Sequence, residues 1–201
     1  MQYRQSSFGS KGLTLLDRFG TWLSRRAILK YAPLREKLNI LELGCGYSAK
    51  NLLAISDKAR SIVGVDIQIG DEIKSHPKFV GIEGDIEIAI KQLENQKFDL
   101  ILIISVLEHL KNPLEVLSSC KELLAPDGVI LINVPTWFGK FFLEYAAFKL
   151  NLSPKEEMDD HKMYYNKSDL WPLIVASGFL PSKIKLTYHK FGLNLFAVIR
   201  G

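Results

Sequence analysis

Two glycines one residue apart, Gly44 and Gly46, follow the apolar run Ile40-Leu41-Glu42-Leu43, with Cys45 between them. Glycine lets a backbone turn tightly and lets a ligand come close without a side chain in the way. Two further acids close apolar runs. Asp66 follows Ser61–Val65, and Asp85 follows Phe79–Ile82 and Gly84. A carboxylate at such a position can accept hydrogen bonds from both hydroxyls of a ribose or from an exocyclic amine. The pattern points to a nucleotide-like cofactor across the glycine turn, and so to an enzyme. A fourth run, Asp99–Ile104, leads into Ser105, Val106, Glu108 and His109. Histidine titrates near neutral pH and suits proton removal. His109 and His161 are the base candidates, although His109 equally suits a helix cap or loop support and His161 a lid position. Cys45 reads as a small packing residue that lines the turn.

The elements that must position these residues alternate along the chain. Strands are expected at Ile40–Leu43, Ser61–Val65, Phe79–Ile82, Asp99–Ile104 and Val129–Val134, with helices near Ala49–Ser56, Ile86–Glu94 and Leu114–Leu124. Continuous apolar strands separated by helices indicate a parallel sheet covered on both faces. The third helix is expected to stop at Pro126-Asp127-Gly128. A helix near Ser168–Ser177 and a hairpin of Ser182–His189 with Leu193–Ile199, turning at Lys190–Gly192, complete the pattern. Residues 12–32 fit an amphipathic helix pair through Leu15, Leu16, Phe19, Trp22 and Leu23. In such open sheets ligands bind beyond the carboxyl ends of the strands.

Composition bounds the class. The chain has 201 residues, 47% hydrophobic and 24% charged, enough for one domain with a sizeable core. No window approaches the roughly 18 apolar residues of a membrane span. The polar start, Met1 to Ser10, carries no secretory signal. Two cysteines give no disulfide framework and no zinc spacing, so no metal is expected and a reducing cytoplasm is. Residues 1–37 hold eight basic and two acidic side chains, a net +6 out of a total of +4. This arm reads as a solvated basic helix or lid ahead of a catalytic body at 38–201.

Two cofactor classes fit the glycine turn. Gly44-x-Gly46-x-x-Ala49 with Asp66 admits a dinucleotide fingerprint, and so an NAD-type oxidoreductase. Glu42 before the glycines, Asp85 after the third strand and the closing hairpin favour another. At these positions the sequence resembles the class I S-adenosylmethionine-dependent methyltransferases. ILELGCGYS is similar to their first motif, VGVDI to their second-strand acid and GDIE to their adenine-side motif. The stretch FDLILIISVLEHLKNPLEVLSSCKELLAPDGVILINVP resembles their fourth-to-fifth-strand block. DDHKMYYNKSDLWPLIVASGF resembles a segment of the small-molecule branch typified by ubiquinone-pathway O-methyltransferases. Ser48 stands where many members have a third glycine, and is expected to cap the next helix.

The resemblance implies a Rossmann-like α/β fold, a seven-stranded sheet of order 3-2-1-4-5-7-6 with an antiparallel last strand. It implies S-adenosylmethionine as cofactor. Glu42 would position the loop, Gly44, Cys45 and Gly46 would face the methionine part, and Asp66 would hold the ribose with Ile67 against adenine. Asp85 and Ile86 would reach the base, and Ser105 and Val106 would flank the sulfonium. The acceptor is expected to be a small molecule, methylated at oxygen. Residues 136–165 interrupt the alternation where this fold grows its acceptor cap. Their aromatic stripe (Trp137, Phe138, Phe141, Phe142, Tyr145, Phe148) reads as helix packing, or more sharply as an apolar pocket or a membrane-touching face. Nucleic acid is disfavoured, because Ser105-Val106-Leu107-Glu108 replaces the Asn/Asp-Pro-Pro-aromatic motif of amino-methylating DNA enzymes. A module that binds the cofactor without turnover is the remaining alternative.

Overall fold

The computed structural model describes residues 15–33, 35–141 and 162–201. Its strands are β1 (Leu38–Leu43), β2 (Ala59–Asp66), β3 (Phe79–Glu83), β4 (Phe98–Ile104), β5 (Leu124–Pro135), β6 (Ile184–His189) and β7 (Asn194–Arg200). They form one sheet in the order β3-β2-β1-β4-β5-β7-β6. The first five pair in parallel, and β7 runs antiparallel to both β5 and β6. This is the expected order.

The apolar runs become central strands because both of their faces are covered. On one face Leu41, Leu43, Ile101, Ile103, Ile130 and Ile132 pack against α5 (Pro113–Leu123) and α6 (Lys167–Ala176). On the other, Ile40, Leu100, Leu102, Leu131 and Phe196 pack with Ala27 and Ile28 of α1 (Leu15–Tyr31) and Leu52 of α2 (Lys50–Leu53). Burying one such side chain contributes about 1.5–3 kcal/mol, so the two cores anchor every strand end that faces the site. Two short helices, α3 (Asp71–Lys74) and α4 (Ile86–Ala89), flank β3.

Several local expectations change. The first helical segment is one helix through Tyr31 rather than a pair. The helix after the glycine turn shrinks to α2 followed by a 3-10 turn at Ser56–Lys58, and α4 likewise gives way to a 3-10 turn at Ile90–Leu93. Ser48 does not cap α2: Ala49 holds that place in a left-handed conformation (φ 42°), with no side-chain hydrogen bond. Pro126-Asp127-Gly128 does not end α5, because β5 has already begun at Leu124. It bulges that strand, whose pairing with β4 jumps from Phe98↔Leu124 to Leu100↔Val129. Of the aromatic stripe, Trp137, Phe138 and Phe141 fall in a helical segment at 137–141, while Phe142, Tyr145, Phe148 and His161 lie outside the described residues.

That segment is tied to the β6–β7 turn. The Thr136 N–H donates to the Leu193 carbonyl (2.9 Å), and the Thr136 hydroxyl donates to the Gly192 carbonyl (2.7 Å) while accepting from the Gly139 N–H (2.9 Å). A Cβ on Gly139 would sit 2.1 Å from the Leu193 carbonyl oxygen, so the backbones touch there. Gly139→Ala is therefore expected to cost about 1–3 kcal/mol in urea unfolding through overpacking. Wild-type stability would show that this junction is loose.

Candidate active site

Parallel pairing in the order β3-β2-β1-β4 sets the carboxyl ends of four strands side by side. The glycine turn follows β1. Gly44 (φ 72°) and Gly46 (φ 73°) both take left-handed backbone, which side chains strain. The turn leans on β2: the Gly44 and Cys45 N–H groups donate to the Val65 carbonyl at 2.8 and 3.1 Å. The Gly46 N–H donates to Asp66 Oδ2 at 2.7 Å. From the other side Val106 closes in, so that a Cβ on Gly44 would lie 2.1 Å from its Cγ2. Glu42, Gly44, Cys45, Gly46, Asp66 and Val106 thus form one contiguous unit. Cys45 is buried, and burial pushes its thiol up, which fits a packing role.

The remaining expected residues extend this row. The Gly84 N–H donates to the Asp66 carbonyl (2.9 Å), bringing Asp85 next to Asp66. Asp85 also caps α4 by accepting from the Glu87 N–H at 2.8 Å. Ile67 is exposed beyond Asp66, and Ile86 is half-buried. A Cβ at Gly84 would meet nothing within 4 Å, so the space beside Asp85 is open. At the end of β4, Ser105 sits at φ 56°, a conformation sparsely adopted by non-glycine residues, and its N–H donates to the Asn133 carbonyl at 2.8 Å. His109 ends a 3-10 turn, Leu107–His109, and is half-exposed. Its carbonyl accepts from Lys162 Nζ, and the Lys162 N–H donates to the Glu108 carbonyl.

The structure also brings in residues that no motif singled out. Asn51 Nδ2 donates to Glu42 Oε1 at 2.8 Å. The charge of Arg25, from α1, acts on Glu42. Glu87 accepts from the Lys111 and Asn112 N–H groups at 2.6 and 2.9 Å, tying the β3 side of the site to the loop after β4. Burial pushes the Glu87 carboxyl up, but these hydrogen bonds outweigh it and hold it below the usual range. Asn51 lies nine residues after Glu42, and only folding of the turn makes them neighbours.

Glu42 is the electrostatic oddity. It is fully buried, and its Oε2 has no hydrogen-bond partner. Burial pushes its carboxyl up to about 8, with the neighbouring Asp66 charge adding to the rise and the Asn51 hydrogen bond opposing it. A raised carboxyl holds a proton in the folded protein that the unfolded chain has released. Its contribution to stability therefore declines as pH rises from about 4.5 toward 8, by up to about 1.4 kcal/mol per unit. Glu42→Gln is expected to flatten that decline in thermal melts between pH 5 and 8, and identical pH profiles would show that Glu42 is ionised throughout.

Among proteins of known class, a family profile described as a methyltransferase domain matches residues 16–179. The chain belongs to the class I S-adenosylmethionine-dependent methyltransferases. That membership decides between the two cofactors that the glycine turn admitted. Two curated relatives of this methyltransferase are ubiquinone biosynthesis O-methyltransferases. The one from Dinoroseobacter shibae is 29% identical over 154 residues, 72% of this chain and 60% of the relative. The one from Actinobacillus pleuropneumoniae is 31% identical over 104 residues, 47% of this chain and 44% of the relative. The aligned part therefore spans about half to three fifths of those proteins. A crystal structure of an S-adenosylmethionine-dependent methyltransferase from Archaeoglobus fulgidus shares the fold at TM-score 0.68 and 17% identity, over 95% of this chain and 96% of the other. One from Mesorhizobium loti does so at 0.61 and 15%, over 90% and 97%.

Proposed function

We propose that this methyltransferase moves a methyl group from S-adenosylmethionine to a hydroxyl of a small, lipophilic or anionic acceptor. The observation that carries the reading is the buried carboxyl of Glu42, with an unpartnered oxygen beside the glycine turn. A diphosphate laid across this turn would meet the Glu42 and Asp66 carboxyls. It would also gain little from α2, which is only four residues long. A ligand rich in donors and positive charge suits the same groups. Glu42 Oε2 and Asn51 Oδ1, both buried and unpartnered, can take an ammonium, whose positive charge would offset the burial that keeps Glu42 protonated and favour its ionised form. Asp66 can take ribose hydroxyls, and Asp85, with Ile67 and Ile86, an adenine.

When bound, S-adenosylmethionine supplies a methyl group already activated on a sulfonium. The protein has then to align the receiving atom, remove its proton and exclude water. Ser105 and Val106 stand beside the turn where that alignment would occur. His109, and His161 from outside the described residues, remain candidates for the proton. We assign α1, with its basic face, to a lid over the site, and residues 136–165 to an acceptor cap whose exposed aromatics suit a lipophilic molecule or a membrane surface. The O-methyltransferase names of the relatives support oxygen as the receiving atom.

Two measurements test the reading. S-adenosylhomocysteine, but not NADH, is expected to raise the melting temperature, and the reverse outcome overturns the cofactor. Asp66→Ala is expected to weaken S-adenosylhomocysteine binding by about 1–3 kcal/mol in calorimetry, a factor of roughly 5 to 150. Unchanged affinity would mean that the ribose is held elsewhere.

A further inference from the structure

Large aromatic side chains stand exposed around one junction of the fold. Phe19 and Trp22 lie on α1, Phe191 on the β6–β7 turn, and Phe138 and Phe141 on the segment after β5. Direct contacts hold these elements together. The His189 ring donates to the Leu23 carbonyl of α1. Lys190 Nζ sits 3.7 Å from where a Cβ on Gly20 would be, and the Phe138 ring 3.9 Å from where one on Gly192 would be. With the Thr136 hydrogen bonds to Gly192 and Leu193, α1, the turn and the 137–141 segment form one continuous rim. Scattered exposed apolar side chains are ordinary, but several large ones at one place mark a contact surface.

Phe191 is the extreme case. It is 86% exposed and takes left-handed backbone (φ 59°) directly after Lys190 (φ 49°). A bulky residue is strained there, where asparagine or glycine is not. The turn therefore holds an apolar ring out in water at the expense of backbone strain, a combination that points to function rather than packing.

The outer face of α1 adds charge to the same rim. At 100° per residue, Arg18, Phe19, Trp22, Arg26, Leu29 and Lys30 fall within about 120° of arc, and all are exposed. Ser24, Ala27 and Ile28 hold the opposite, buried side. From Arg18 to Tyr31 the helix carries four basic residues and no acid. The Phe19 and Trp22 rings stack with centroids 5.8 Å apart, and the Arg26 guanidinium lies over Trp22 at 5.0 Å. An indole with a cation on it suits the boundary between lipid headgroups and acyl chains, where the ring is buried and the charge meets phosphate. The basic groups gather on α1, whereas Phe138, Phe141 and Phe191 present apolar rings, which acyl chains bury more fully than a phosphate backbone does. No described helix is long and apolar enough to cross a membrane, so contact is made from the surface.

We propose that the outer face of α1, the β6–β7 turn and the 137–141 segment dock this methyltransferase on an anionic lipid bilayer. Phe138, Phe141 and Phe191 enter the edge of the acyl layer, Trp22 lies at headgroup level, and Arg18, Arg26 and Lys30 meet lipid phosphates. The proposal rests on the acceptor reading above for one point only: the docked rim adjoins the acceptor cap, so a lipophilic acceptor reaches it from the bilayer without crossing water.

Vesicles of phosphatidylcholine alone, or equimolar with phosphatidylglycerol, test this by co-sedimentation with the full chain. Wild type is expected to bind the anionic vesicles about tenfold more tightly at low salt and to lose that preference as salt rises. Arg18→Gln combined with Arg26→Gln should remove the preference. Phe191→Asn, which suits left-handed backbone, should weaken binding to anionic vesicles about tenfold while melting at or above the wild-type temperature. Lipids brominated on their acyl chains should quench the tryptophan fluorescence, and less so in Trp22→Phe. Equal binding to both vesicles, unquenched tryptophan, or unchanged binding in Phe191→Asn overturns the proposal. So does tight binding of a single-stranded RNA, or dimerisation that Phe191→Asn abolishes, in the absence of vesicle binding. If S-adenosylhomocysteine fails to bind, the methyl-transfer reading falls, while vesicle binding still decides the surface.

Discussion

The hydrogen bond from the Gly46 N–H to Asp66 is the constraint on which the rest of the site depends. It fixes a left-handed turn against the second strand, while Val106 presses on the same turn from the fourth. Neither glycine can be replaced cheaply. One would strike Val106, and both would strain the backbone. Three strand ends are thereby locked to one another before any ligand arrives. Binding then pays little for ordering the loop, which is how a short turn can support a defined pocket.

Around that rigid centre the electrostatics are left unfinished. The Glu42 carboxyl is buried with one oxygen bare, and Asn51 offers a bare carbonyl beside it. Such groups destabilise the empty protein and favour whatever completes them.

Much of the fold was legible because its signal is local. Apolar runs such as Leu100–Ile103 announce buried strands, and acids or glycines mark where they stop. The strand order came from resemblance, since periodicity alone does not rank neighbours. The misreadings have physical causes. Pro126-Asp127-Gly128 looks like a turn, yet a bulge absorbs it within β5. Ser48 has the chemistry of a cap, but left-handed Ala49 occupies that place. The glycine turn, Asp66 and Asp85 could be read from spacing. The pairing of Asn51 with Glu42 could not, because only the folded turn brings them together.

The sheet order has a consequence for how the molecule assembles. β7 lies between β5 and β6, although β6 precedes it in the chain. As the polypeptide emerges during synthesis, β6 has no edge to join until β7 has been made and inserted. The parallel portion through β5 can form early, and with it the glycine turn. The half of the sheet that carries His189 must wait. A stalled or truncated product would therefore own the glycine turn and lack the antiparallel hairpin that completes the sheet.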